Sequence, residues 1–341
     1  MSVPYYANAP LPDTNARQSA MTIRQPSTAL LTIDSEDRYT NYIDASNNPS
    51  SPYNFTIRKT ESLMPGFITR VGISEIVFPW TIPNINVKTN QILFSYSLSG
   101  DPVVTKVLKL TQGFYTPSEL ATEISTLVGN LPGNPLPSFV FQYATGQFSD
   151  SFDSPVFEYL SGTPYDKVAF SPLPYNTPAY PYNSNSKQLF NLLGLSSRNT
   201  QLLLGDYSNY TLCQAIRYVD IVCNQLTNSQ AQKDQTSQTI ARDMLCRIYV
   251  DSASGLQSTI KASENIFCPP GCAPTTIYHN YTVPKQIQWI PNQNIPGYLQ
   301  FQVYDDTGDL LDYSIQGASG KPGDLPSQIS DWSMTMLVSE N

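Results

Sequence analysis

Between residues 91 and 98 the apolar side chains Ile92, Phe94, Tyr96 and Leu98 alternate with Gln91, Ser95 and Ser97, with Leu93 the single exception. A period of two sends successive side chains to opposite faces, so this stretch predicts a strand with one buried and one wet face. It ends a larger unit, residues 51–98, that reads as strand, turn, long strand, irregular Pro/Asn loop and strand. In the long strand, predicted over 67–78, Val71 and Ile73 face one side and Arg70, Gly72 and Ser74 the other. From Ile76 to Phe78 the apolar character is continuous, which predicts a strand that enters at a sheet margin and finishes buried. Pro79 and Pro83 each remove a backbone donor and bias the residue before them toward extended geometry, so 78–86 is expected to be neither helix nor central strand. A large aromatic, Trp80, on such a loop suggests a contact surface.

The same alternation, bounded by turn residues, predicts strands at 29–33, 53–57, 103–110, 139–143, 147–152, 217–222, 244–250, 275–283, 286–290, 299–304, 310–315 and 333–338. Thr116-Pro117-Ser118-Glu119 has the N-cap, first-turn proline and third-position Glu of a capping box. Leu120, Ile124, Leu127 and Val128 then share one helical face, and Gly129 stops it. A second short helix is expected over 187–193, with Gly194 as its stop. Residues 154–184 read as one long loop rich in proline and tyrosine, and 227–239 as a polar, charged loop. Residues 1–28 contain Pro4, Pro10, Pro12 and Pro26 with few apolar residues, so they read as an extended arm without a core of its own. A disordered tail and a tether ordered only on assembly fit that composition equally. The remainder, 29–341, is expected to be a β-sandwich region, in one piece or as two β subdomains with a boundary near 154–186.

Composition sharpens this all-β, mainly antiparallel picture, with one or two short helices and long Pro/Tyr-rich loops. Charged residues are only 13%, against 28 prolines, 22 tyrosines and 14 phenylalanines, so the surface must be rich in Ser, Thr, Asn, Gln and Tyr. Protein interfaces have that character more than free enzymes do. A net charge of −8 with no basic run argues against nucleic-acid binding, which depends on clustered Lys and Arg. No apolar run reaches the roughly 18 residues of a spanning helix, and the N-terminus has no signal-peptide pattern. Cys213, Cys223, Cys246, Cys268 and Cys272 are an odd set that fits free thiols in a reducing compartment.

Candidate chemistry is sparse. His279 is the single histidine, in Tyr278-His279-Asn280-Tyr281, with no nucleophile motif beside it, so a structural role fits better than acid/base catalysis. Cys246, Cys268, Cys272 and His279 contain donor types for zinc, but the spacing is irregular; buried thiols or a local disulfide fit better. Asp34-Ser35-Glu36-Asp37-Arg38 lacks the glycine and distal Glu of a calcium loop and is expected to be a solvated turn with Arg38 pairing to a neighbour. Asp305, Asp306 and Asp309 could bind calcium at a loop tip, although Asp and Gly are also what a tight turn selects. The expectation is therefore no catalytic set, no cofactor and no metal. The residues singled out for contact are Pro79, Trp80, Ile82 and Asn84 on the 79–90 loop, and Tyr165, Tyr175, Tyr180 and Tyr182 on the tyrosine-rich loop.

Several stretches resemble the minor capsid and penton proteins of nucleocytoplasmic large DNA viruses, chloroviruses and virophages. They are LLTIDSEDRYTN (30–41), SPYNFTI (51–57), ISEIVFPWTIPNINVKTNQILF (73–94), LTQGFYTPSELATEI (110–124), KQLFNLLGL (187–195), YVDIVCNQLTNSQ (218–230), LQFQVYDDTGDLL (299–311) and DWSMTMLV (331–338). The resemblance implies a β-sandwich, often a jelly roll, beneath or between trimers of the major capsid protein, serving as cement, framework or five-fold plug. It further implies a virion protein, assembled in the host cell cytoplasm, whose partners are the major capsid protein, other minor capsid proteins and its own copies. Membrane contact would be only indirect, beneath the shell. A penton closing the vertices is the alternative within that class, and a lectin-like receptor-binding sandwich using Asp305, Asp306 or Trp332 is the alternative outside it.

Overall fold

The computed structural model describes residues 28–38, 51–59, 61, 64–96, 102–133, 139–144, 147–152, 168–182, 188–195, 208–209, 211, 213–227, 232–235, 238–250, 275–295, 297–311 and 331–340. Eight long-range strands make two four-stranded antiparallel sheets. In the first, β1 (Thr28–Asp34) pairs with β15 (Ser333–Glu340), then β3 (Met64–Trp80), then β13 (Thr275–Ile295). In the second, β2 (Asn54–Arg58) pairs with β14 (Tyr298–Asp305), then β9 (Tyr218–Val222), then β12 (Cys246–Tyr249). First strand beside last, and consecutive strands passing between sheets, is the connectivity of a jelly roll. The inward faces meet in an aromatic core. Phe78 lies 6.2 Å from Tyr53 and 6.3 Å from Trp332, while Phe55 lies 5.4 Å from Phe301 and 5.7 Å from Trp332.

The chain between β3 and β9 builds a second set of layers. β4 (Gln91–Tyr96) sits between β5 (Val104–Lys109) and β8 (Val168–Ser171), and β6 (Phe139–Ala144) forms a hairpin with β7 (Gln147–Phe152). Phe94 packs on Phe139 and Phe170 at 5.6 and 5.3 Å, and Phe141 on Phe148 and Phe170 at 5.2 and 5.3 Å. Helix α1 (Pro117–Gly129) carries the expected capping box at Thr116 and Glu119 and buries Leu120, Ile124 and Val128. Its Ser125 hydroxyl accepts from Phe141 N–H at 2.8 Å, which ties the helix to β6. Helix α2 (Leu189–Leu192) ends at Gly194 with φ +74°, a left-handed conformation that favours glycine.

Four expectations are corrected. Pro79 and Trp80, expected on an irregular loop, are strand residues that extend β3 past the predicted end at Phe78: Thr276 pairs with Pro79 and Thr275 with Trp80. β15 begins opposite Val77, so beyond that point β3 is flanked, among the described residues, by β13 alone, where the missing proline donor does little harm. The 154–184 loop is interrupted by β8, which adds to β4. The polar 227–239 segment contributes to a hairpin of β10 (Gln232–Gln235) and β11 (Gln238–Asp243). The strands expected at 275–283 and 286–290 form one element, with a register irregularity between Asn280 and Lys285.

At 34–38 the expected turn and the pairing of Arg38 are found, but the expected solvation is corrected, because Ser35 and Arg38 are buried. Asp34 caps a single 3-10 turn (Ser35–Asp37), and Arg38 is 2% exposed, bonded to the Ser35 carbonyl and ion-paired with Asp331. The Ser35 hydroxyl donates to Asp331 at 2.7 Å and accepts from Trp332 N–H at 2.9 Å. The Trp332 indole N–H donates to the Pro52 carbonyl at 2.7 Å. These bonds clasp the start of β15 to the end of β1, so the jelly roll is closed at the point where its first and last strands meet.

Candidate interaction surface

Four of the seven described residues singled out for contact turn inward. Trp80, Ile82 and Asn84 are each 2% exposed, and Tyr180 is 3% exposed. The expectation that they are displayed for a partner is corrected by that burial. Pro79 and Tyr182 are half-buried, and Tyr175 is exposed. Tyr165 and the 1–27 arm lie outside the described residues, as do Cys268 and Cys272. Trp332 is 1% exposed, which corrects its use as a sugar platform.

The 81–90 loop is an internal junction because its side chains satisfy backbone groups that burial would otherwise orphan. The Asn84 amide donates to the Tyr115 carbonyl at 2.8 Å and its carbonyl oxygen accepts from Tyr115 N–H at 2.9 Å. Ile85 and Gly113 exchange both backbone bonds, and Leu110 N–H donates to the Asn90 carbonyl at 2.8 Å. Thr89 Oγ1 donates to the Asn84 carbonyl and accepts from Asn86 N–H. The loop therefore holds the second set of layers against the jelly roll.

At its tip Lys88, 3% exposed, enters the turn after β14. Nζ donates to Asp305 Oδ2 at 2.7 Å and to Asp309 Oδ2 at 2.5 Å, and lies 5.0 Å from the centre of the Tyr182 ring. An ammonium thus occupies the position between carboxylates that the calcium reading reserved for a metal. Burial would raise the Asp305 carboxyl, but Lys88 and hydrogen bonds from Thr307 and Asp309 outweigh it and hold it below its ordinary value. Burial, then Asp309, pushes Tyr182 up to about 12, and burial likewise raises Tyr180. Sequence reading named the 79–90 loop, Tyr182 and the acidic turn separately. The structure joins all three through one lysine, which it had passed over.

The other side of the β2–β14–β9–β12 sheet shows what sequence reading missed. Opposite the buried Leu299, Phe301 and Val303, the alternate residues Tyr298, Gln300, Gln302 and Tyr304 face outward, with Tyr298 exposed and the other three half-buried. Across the ladder, Tyr298 pairs with Arg58, whose guanidinium lies 5.5 Å from the ring centre. At the other edge Tyr249 pairs with Tyr218, and the Arg247 guanidinium stacks 3.9 Å from the Tyr218 ring while holding Asp220 through two bonds of 2.7 and 3.1 Å. Tyrosine and arginine, poor in lysine and glutamate, is the mix of an interface core. The signal was the period-two alternation already used to place the strand, read for its polar face as well as its apolar one.

His279 is half-buried and stacks on Tyr281 at 5.8 Å. Cys213, Cys223 and Cys246 are buried, and burial pushes the Cys213 and Cys223 thiols each up to about 12. No protein-family model matches the chain, and no curated protein matches it in sequence. In three dimensions the chain is similar to the mavirus penton protein, with a TM-score of 0.49 and 10% identity, over 93% of this chain and 100% of that one.

Proposed function

We propose that this chain is a non-enzymatic structural protein of an icosahedral viral shell, of the minor capsid type, joining major capsid trimers to one another and to its own copies. The observation that carries this reading is where the capsid-like segments fall in the fold. They supply most of β1, β2, β4, β14 and β15, the C-terminal part of β3, much of α1, and all of α2 and β9, together with the Arg38–Asp331 clasp and the Lys88 junction. The resemblance thus follows the framework of the molecule and not a set of unrelated loops. A fold by itself fixes no function. The aromatic outer sheet face adds the second support, since it is the kind of surface that other subunits cover.

In this reading the contact residues are Tyr249, Tyr298, Arg58 and Arg247 on that face, with Tyr175 and Pro79 from the loops. Residues 1–27 serve as the arm that reaches a neighbour. Mixed with major capsid trimers of the same source, the chain should co-sediment with them. Tyr249→Ser/Tyr298→Ser should lose that association with its thermal transition unchanged. Failure of the wild-type chain to associate overturns the reading. A stable pentamer that binds only at vertices would assign it to the five-fold plug.

A further inference from the structure

We propose that Lys88 and Asp305 condense into an intramolecular amide, with Asp309 carrying the proton. The junction contains the parts such a reaction needs, on residues brought together from the 81–90 loop and the turn after β14. The nucleophile is Lys88 Nζ, held 2.7 Å from Asp305 Oδ2, with the two side chains 2% and 1% exposed. The proton carrier is the Asp309 carboxylate, 2.5 Å from the same nitrogen. The other oxygen of the electrophile, Asp305 Oδ1, receives Thr307 N–H at 2.9 Å, Thr307 Oγ1–H at 2.7 Å and Asp309 N–H at 2.9 Å. Three donors converging on one carboxyl oxygen are arranged as an oxyanion hole is. The Tyr182 ring covers the nitrogen and, with Tyr180 packed edge-on at 5.1 Å, adds an aromatic wall to the junction.

The step balances without a co-reactant. A proton first passes from the Lys88 ammonium to Asp305 Oδ2, converting the ion pair into a neutral amine and acid of the same total charge. Burial favours that neutral form relative to water, although the hydrogen bonds to Asp305 keep it the minor one. The Nζ lone pair then forms a bond to Asp305 Cγ while the carbonyl π pair moves onto Oδ1, where the three donors receive it. Asp309 takes a second proton from Nζ and passes it to Oδ2. The Cγ–Oδ2 bond breaks, water leaves, the Oδ1 carbonyl re-forms, and Asp309 is again a carboxylate. Groups fixed at contact distance react as though at roughly 10⁵–10⁸ M, so a small neutral fraction suffices given time. The product would tie the loop between the two sets of layers to the jelly roll by a covalent bond. This inference does not depend on the capsid reading.

Intact-mass measurement of the denatured full chain, after incubation of the folded protein, tests it. The expected mass is one water below that of the sequence, and proteolysis should yield a branched peptide joining Lys88 to Asp305 with trypsin unable to cut after Lys88. Lys88→Met and Asp309→Asn should both return the full sequence mass. The full mass in the folded wild-type chain overturns the proposal, and so does a lost water that maps elsewhere, such as to an aspartyl succinimide. Asp309→Asn that folds and still loses the water overturns the role given to Asp309. If either variant fails to fold, the wild-type peptide map still decides.

Discussion

Two tryptophans show how much the surroundings of a residue decide. Trp80 follows a proline and precedes a loop, a context that suggests display, yet its neighbour β13 pairs with it and Phe78 packs 6.4 Å away. Trp332 is held by Phe55, Phe78 and Phe301 and by its bond to Pro52. Truncating either to Ala empties a core site, so each variant should lose about 3–5 kcal/mol in chemical denaturation. Trp332→Phe should keep part of that, because it retains an aromatic body while losing some of the indole's buried volume and the bond to the Pro52 carbonyl. Tyr249→Ser, on the open sheet face, should move stability by no more than about 0.5 kcal/mol. A Trp80→Ala chain that melts like wild type would restore the exposed-anchor reading of that residue.

Elements fixed by neighbours in sequence were legible, while those fixed by distant pairings were less so. The capping box of α1 and the glycine stop of α2 each depend on a few adjacent residues, so both were read correctly. Thr116→Ala should destabilise by about 1 kcal/mol, because the hydroxyl accepts from Glu119 N–H. Gly194→Ala should be worse, by about 1–3 kcal/mol, since it must hold a positive φ and its methyl would run into the Asn209 carbonyl. Thermal melts of the two variants side by side check the order. By contrast β8 is four residues long and exists because β4, remote in sequence, accepts it, while β10 and β11, which pair only with each other among the described residues, have the polar sequences QKDQ and QTIARD with little apolar alternation to read. Pro79 misled for a related reason: a proline rule that holds for a strand paired on both sides does not bind where β15 has already ended. The interaction face was legible in Tyr298, Gln300, Gln302 and Tyr304 but was passed over. Alternation was used to find the core side alone.

At the scale of the molecule, two segments remote in sequence, the turn after β14 and the stretch carrying Tyr182, close on Lys88, with Asp305 buried and Thr307, Asp309 and Tyr182 half-buried. That arrangement governs how the chain should respond to alkali. Burial, with Asp309 as the further cause for Tyr182 and Cys246 for Tyr281, pushes each phenol up to about 12 from 10.0. Burial pushes Cys213 and Cys223 up to about 12 from 9.0. A group whose pKa is higher folded than unfolded holds its proton more tightly in the native state. Its contribution is fully present below the unfolded value and is lost as pH rises through the folded one. The thiols begin to withdraw support above about pH 9 and the phenols above about pH 10, and all of it is gone past about 12. The midpoint in urea should therefore be flat through neutral pH and fall steeply across that alkaline window. The tyrosinate absorbance of the folded chain should rise in two stages, with Tyr182 and Tyr281 ionising only as the chain unfolds. A single stage near the ordinary phenol value, with no loss of stability, would mean that Tyr182 and Tyr281 are open to water and that the junction around Lys88 is looser than its contacts describe.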